Sequence, residues 1–212
     1  MEQTTTPALG RPRSEQARVA VLAAALRLAR RDGYVAVTIK GIAEEAGVGR
    51  QTVYRWWTSK AAILLEAVSE AARQIARPEP TGDAEHDLRG LLRASFALTR
   101  DLGPIVAGLM ADATHDPEFL GALQERLLVP RRKVVGDILA HGQRTGQLGE
   151  AGDVALVTDM VWGTMWYRIQ SRHAPVDARL ADELTAAAMR LMGSGGREGA
   201  GEGEGEAKGV RS

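Results

Sequence analysis

Apolar residues recur at three- and four-residue intervals almost from end to end of this chain, and no strand-rich stretch interrupts them. The spacing predicts an all-α protein. Ala17, Val21, Ala24, Ala25 and Leu28 form a first stripe, opened by Ser14 as N-cap with Glu15 in the first turn and closed by Asp32-Gly33. Thr38 caps a second, short helix in which Ile39, Ile42, Ala43 and Ala46 share one face while Lys40, Glu44 and Glu45 stay wet. Gly47 ends it, and Val48 is the one apolar residue of the turn that follows. A third helix starts at Gly49, with Arg50, Gln51, Thr52, Tyr54 and Arg55 outward and Val53 and Trp57 inward. Two short helices around a glycine turn are helix-turn-helix grammar.

Thr58 or Ser59 caps the next helix, whose stripe of Ile63, Leu64, Ala67, Val68, Ala71 and Ile75 runs until Arg77-Pro78-Glu79-Pro80-Thr81-Gly82 breaks it. Five helical segments are expected beyond. Leu88, Leu91, Leu92 and Phe96 mark the first, and Gly103-Pro104 starts the second, with Ile105, Leu109 and Met110. Asp116-Pro117 opens the third as cap and first-turn proline; Pro130 should kink or interrupt it before Val134, Ile138 and Leu139 carry it to Gly146. Asp153 begins the fourth, with Leu156, Val157, Met160, Val161 and Tyr167, and Trp162 and Trp166 on one side. The fifth follows Asp177 through Leu180, Leu184, Ala188 and Leu191. From Gly193 the chain turns to glycine and glutamate, a composition unable to bury a core and expected to be disordered.

The formal charge is zero, yet it is unevenly spread. Residues 11–60 carry ten Lys or Arg against four Asp or Glu, a surplus of six, so the remainder carries minus six. The basic part is the part with the helix-turn-helix, as a phosphate backbone would select. The polar start, ending in Gly10-Arg11-Pro12-Arg13, reads either as an arm that lays arginine in a minor groove or as a leader without a role. Without cysteine the chain has no disulfide and no cysteine-based zinc site. Neither a signal-peptide core nor an apolar run approaching about 20 residues is present, so a soluble, cytoplasmic, nucleoid-associated protein is expected.

Several strings together carry a family likeness: the Thr38-to-Val48 pattern T-x-x-x-I-A-x-x-A-G-V, the segment Thr52-Val53-Tyr54-Arg55-Trp56-Trp57, and Ser59-Lys60 opening a helix, all behind a long first helix. The chain resembles the TetR family of bacterial transcriptional regulators. That resemblance implies an Ω-shaped, all-helical homodimer. It implies contacts to a double-stranded DNA operator from Thr38, Arg50, Gln51, Thr52, Tyr54, Arg55 and Lys60, with Lys60 and the amides around it on one phosphate. A lysine in the first turn of a helix is electrostatically misplaced unless an anion joins it, which fits the same role. Two positions depart from the family's habit: Gly49 stands where a side-chain cap is common, and Trp56 where His or Tyr is frequent.

The expected organisation is an arm over 1–13, a DNA-binding domain over 14–60, a connecting helix over 59–76 that belongs to both halves, a sensing and dimerisation domain over 77–192, and a tail over 193–212. In this family the last two helices, here Asp153 to Arg172 and Asp177 to Met192, pair the subunits. No catalytic constellation occurs: His86, His115, His141 and His173 are dispersed, and there is no nucleophile elbow, Walker loop or dinucleotide fingerprint, so neither enzyme activity, metal nor cofactor is expected. Phe96, Leu109, Met110, Met165 and Trp166 are the candidates to line a pocket for a small, mostly apolar effector, or else they are plain core. The function these features imply is a ligand-responsive repressor; the alternative is a helical-bundle carrier or enzyme without specific DNA binding.

Overall fold

A computed structural model describes residues 11–74 and 80–193, the first three of them by backbone alone. The expected arm before Arg11, the Ile75-to-Glu79 part of the connecting helix and its break, and the tail beyond Gly193 lie outside the described residues. Every regular element among the described residues is helical, and no described helix is long and apolar enough to cross a membrane.

The first helix, α1 (Arg11–Asp32), starts three residues before the expected Ser14 cap, so Arg11, Pro12 and Arg13 are helical and do not extend as an arm. Proline is tolerated there because the first-turn amides have no intrahelical acceptor to lose. The helix ends at Gly33, whose φ of +84° is open only to a residue without Cβ strain. Then come α2 (Ile39–Glu45), α3 (Arg50–Tyr54) and α4 (Lys60–Arg73). Val21, Ala24, Ala25, Leu28, Ile42, Ala43, Val53, Trp57, Ile63 and Leu64 are buried together, which closes these four helices around one core. The apolar stripes read from the sequence are the faces that meet there.

The second part is α5 (Ala84–Ala113), α6 (Pro117–Leu123), a π-helical turn over Gln124–Leu128, α7 (Val129–Arg144), α8 (Val154–Ser171) and α9 (Ala178–Met192). One boundary differs from expectation and one follows it. Gly103-Pro104 does not start a helix: α5 runs through it as one element of 30 residues. An interior proline costs about 3 kcal/mol, but Leu102, Ile105, Val106 and Leu109 are all buried on either side, and their burial outweighs one lost hydrogen bond. Pro130 does interrupt its helix, through the π-turn just before it: the wider turn absorbs the missing amide, and α7 restarts with the proline in its first turn.

The core is continuous but has two foci. The N-terminal end of α5 packs with α7, α8 and α9 around Leu88, Phe96, Leu139, Val161 and Leu180, whereas its C-terminal end joins α6 and the π-turn on the α1–α4 core. Trp166 touches both. One helix, α5, therefore joins the core of the C-terminal part to the core of the helix-turn-helix.

Candidate nucleic-acid interface

Caps fix the geometry of the small helices. Thr38 Oγ1 accepts from the Gly41 amide at 3.0 Å, and Ser59 Oγ from the Ala62 amide at 3.1 Å. Gly47, with φ +66°, turns the chain, and Val48 closes onto the core as expected. Gly49 caps α3 with no side chain, so its first amides are open.

Six of the seven candidate DNA contacts are gathered on this surface with the orientation the sequence predicts. Arg50, Gln51, Tyr54 and Arg55 are exposed and Thr52 half-buried, while Val53 and Trp57 are inside; Thr38 is exposed at the start of α2. Tyr54 keeps 55% of its surface in water, a large exposure for an aromatic ring with no apolar partner to cover it. Trp56 packs edge-on to Trp57 (ring centroids 5.4 Å apart, planes at 81°), and the Arg55 guanidinium lies 5.3 Å from its ring centre. The indole that departs from the family's habit thus braces an arginine of the exposed face.

Charge is arranged to leave that face positive. All four acids in residues 11–60 are committed to neighbouring cations: Glu15 to Arg18, Asp32 to Arg31, Glu44 to Lys40 and Glu45 to Arg27. Arg50 and Arg55 have no carboxylate partner among the described residues. Two cations of the surplus, Arg50 and Arg55, therefore stand uncompensated where α3 meets solvent.

Lys60 has a task the sequence did not disclose. Its ammonium donates to the carbonyls of Tyr34 (3.0 Å) and Val35 (2.9 Å) and sits 4.9 Å from the Tyr34 ring centre, tying the start of α4 to the loop between α1 and α2. Tyr34 in turn donates its hydroxyl to Asp112 Oδ2 on α5 at 2.5 Å. Burial first, then the Asp112 hydrogen bond and charge, push the phenol's pKa above its ordinary value, so the donor stays protonated. Beneath it Gly108 has no side chain, and an added Cβ would stand 2.4 Å from the Tyr34 ring. A second tie runs through Glu66 on α4, which accepts from Arg18 of α1 and, at 2.9 Å, from Trp57 Nε1. The helix-turn-helix is seated on α4 and α5 by named polar bonds as well as by packing.

Comparison with known proteins bears on this surface. The family model described as bacterial regulatory proteins, tetR family, matches residues 21–67, and the one described as Tetracyclin repressor-like, C-terminal domain, matches residues 78–188, more than half the chain. The chain belongs to the TetR family of bacterial transcriptional regulators. The first match covers α2, α3 and Lys60, and the second ends within α9. Among similar proteins, the HTH-type transcriptional regulator YdeS of Bacillus subtilis is 32% identical over 163 residues, covering 76% of this chain and 81% of its own. The DNA-binding transcriptional repressor TetR of Mycobacteroides abscessus is 28% identical over 188 residues, 84% and 96% of the two chains. The crystal structure of the TetR family transcription regulator SCO0332 superposes with a TM-score of 0.69 at 29% identity, covering 82% of this chain and 97% of that one.

The candidate pocket residues fare differently from the DNA-contact candidates. Phe96 and Met165 are fully buried in the α5–α9 core, Leu109 is fully buried in the other core with Met110 beside it, and Trp166 packs between the two. Phe96 lines a cavity of about 700 Å³ between α5, α8 and the start of α9, whereas Met165 and Trp166 line a separate one of about 10 Å³. Their sequence signal, large and polarizable at helical spacing, is equally the signal of core. A further cavity of about 370 Å³ lies between α4, α5, the π-turn, α7 and α8, and Ser69, Arg131 and Trp162 are among its walls. One sign of it was visible in the chain: Leu127, Arg131, Val134 and Ile138 share a helical face, so Arg131 is a charge within an apolar stripe.

Proposed function

We propose that this TetR-family regulator is a ligand-responsive repressor that binds a pseudo-palindromic DNA operator as a homodimer in the cytoplasm and leaves it when a small molecule enters its C-terminal part. The observation that carries the DNA reading is the exposed face of α3, where Arg50 and Arg55 remain unpaired while all four acids of residues 11–60 are taken up elsewhere. Such a face gains counterion-release affinity for any duplex, and its polar side chains add sequence preference in the major groove. Arg50 and Gln51, at the entering end of α3, read base edges; Tyr54, Arg55, Thr52 and Thr38 position the helix against sugar and phosphate. Gel shift with the DNA upstream of the gene, against random DNA, tests this. Salt-dependent, sequence-selective binding supports it, and binding no tighter than to random DNA sinks it.

Two variants separate the roles. Gln51→Ala or Arg50→Ala is expected to relax preference at one or two base pairs, at about 1–3 kcal/mol per lost bidentate contact, as read by competition with singly substituted operators. A uniform loss across all sequences would make them positioning groups. Lys60→Ala is expected to lower the salt slope of binding by about one through a lost phosphate contact, and the melting temperature through its two lost carbonyl bonds, worth about 1 kcal/mol in this half-exposed setting. A lower melting temperature with an unchanged slope would leave Lys60 as a loop tie alone.

Ligand response has a physical route. Lys60 begins α4, Ser69 of the same helix lines the 370 Å³ cavity, and Tyr34 links that end of α4 to Asp112 on α5. A ligand that favours a different spacing of α4 and α7 shifts both recognition helices of a dimer off their groove spacing of roughly 34–36 Å. The coupling equals its differential affinity, typically about 1–3 kcal/mol, and DNA must weaken the ligand by the same factor.

A further inference from the structure

The walls of the 370 Å³ cavity divide by chemistry. Leu91, Leu127, Pro130 and Val134 make an apolar lining; no Asp or Glu contributes to it, whereas Arg73, Arg126 and Arg131 all do. Arg73 is paired with Glu70, and Arg126 stands 4.0 Å from Glu66. Arg131 has neither an ion pair nor a hydrogen bond among the described residues, and its guanidinium lies 5.4 Å from the Trp162 ring centre. Burial pushes its pKa down to about 10, so it stays charged at neutral pH in a place that does not solvate it well.

Two more wall groups are unsatisfied. Ser69 Oγ and Trp162 Nε1 are buried without any hydrogen-bond partner. Buried polar groups are paired in the large majority of cases, so two orphans and one unpaired guanidinium around one cavity are a coherent exception. Ser69 Oγ and Trp162 Nε1 are closed off behind the wall, so the Arg131 guanidinium is the donor that a guest meets, and an unpaired cation beside an apolar space calls for an anionic acceptor. A neutral apolar guest would leave Arg131 unpaired, and a cation would meet three arginines. The π-turn before Pro130 ends next to this cavity and brings Arg126, Leu127 and Arg131 to it.

We infer that this cavity is the effector site and that its ligand is a carboxylate with an apolar body, the carboxylate held by the Arg131 guanidinium. A single planar guanidinium matches a carboxylate bidentately, and the cavity volume falls in the range of small-molecule sites. The inference rests on the ligand-responsive reading above only for its regulatory consequence. Ser69 on α4, Arg131 on α7 and Trp162 on α8 are walls of the same cavity, so a guest held by Arg131 lies among three helices, one of which begins at Lys60.

The test uses the full-length protein and a panel of 4-phenylbutyrate, octanoate and decanoate, each beside its neutral amide, titrated by calorimetry and tryptophan fluorescence. At least one acid should bind tenfold or more tightly than its amide. Arg131→Met should erase that preference while sparing amide binding, and should melt no lower than wild type without ligand, since it removes an unpaired cation from a poorly solvating site. The inference is overturned if no acid outbinds its amide, if Arg131→Met keeps the preference, or if Arg131→Met lowers the melting temperature, which would make Arg131 a structural group. Operator release is read in parallel. An acid that binds through Arg131 without releasing DNA refutes the ligand-responsive reading and leaves the site; release by a compound that binds Arg131→Met equally well does the reverse.

Discussion

Gly108→Ala is expected to destabilise the protein by about 1–3 kcal/mol and to weaken operator binding, although residue 108 lies on α5, far along the chain from the helix-turn-helix. The cause is a seat with no slack. A Cβ at 108 would stand 2.4 Å from both Cγ and Cδ1 of Tyr34, inside any real contact, and it would meet the rigid root of the ring. Tyr34 is 7% exposed, its hydroxyl bonds Asp112, and its carbonyl accepts from Lys60, so the ring can retreat only by breaking one of these bonds or by lifting the α1–α2 loop from α5. Either movement alters the angle at which α2 and α3 are presented. Thermal melting and operator titration of Gly108→Ala, Tyr34→Leu and the double variant give a cycle in which the smaller side chain relieves the clash, so the double variant should lose less than the sum. Melting of Gly108→Ala at the wild-type temperature would show the seat to be loose, and the coupling between α5 and the helix-turn-helix would need another carrier.

The parts of this structure legible in the sequence are those set by local rules. Thr38 and Ser59 cap their helices, Gly33 and Gly47 take positive φ, and the 3.6-residue stripes of α1, α2 and α4 are the buried faces, because each depends on a few neighbouring residues. The orientation of Arg50, Gln51, Tyr54 and Arg55 followed from Val53 and Trp57 facing inward on the same short segment. What was not legible depends on partners distant in the chain. Pro104 reads as a helix start in its own neighbourhood, and only the burial of Leu102, Ile105 and Val106 against other helices keeps α5 continuous. Lys60 reads as a cation awaiting a phosphate until the loop 25 residues before it supplies two carbonyls. The pocket was not legible for the same reason: Phe96, Leu109 and Met165 have the composition of a cavity wall, but whether space remains beside them is decided by helix packing, which leaves Phe96 and Met165 on two different cavities. An unpaired Arg131 is the better sign, since core packing gives no reason for a guanidinium there.

The other large effect concerns assembly. Met160→Glu is expected to split the proposed homodimer and to lower operator affinity by at least about a hundredfold while leaving the helices and their core intact. α8 has two apolar faces: Val157, Thr158, Val161, Trp162 and Met165 turn inward, whereas Leu156, Met160 and Tyr167 point outward with 56%, 45% and 65% of their surface open. Positions 156, 160 and 167 lie on one stripe, and Gly163 between them has nothing within 4 Å of where a Cβ would be, which leaves room for a second helix to approach closely. Leu191, 51% exposed, adds an apolar residue on α9. A second copy of the chain would cover such a stripe isologously, each α8 against its equivalent. Because Met160 is half in water in the single chain, a carboxylate there should change the stability of the fold by no more than about 0.5 kcal/mol, but at the centre of a helix-to-helix contact it would be buried without a partner. Leu184 is the poorer target, since it already packs on its own chain's core and a charge there would disturb folding as well as pairing. Losing the dimer removes one of two half-sites, and the remaining α3 reads only a few base pairs, hence the predicted fall toward non-specific affinity. Sedimentation velocity and operator titration of Met160→Glu decide it. A dimer that persists with unchanged DNA affinity would place the interface on another face.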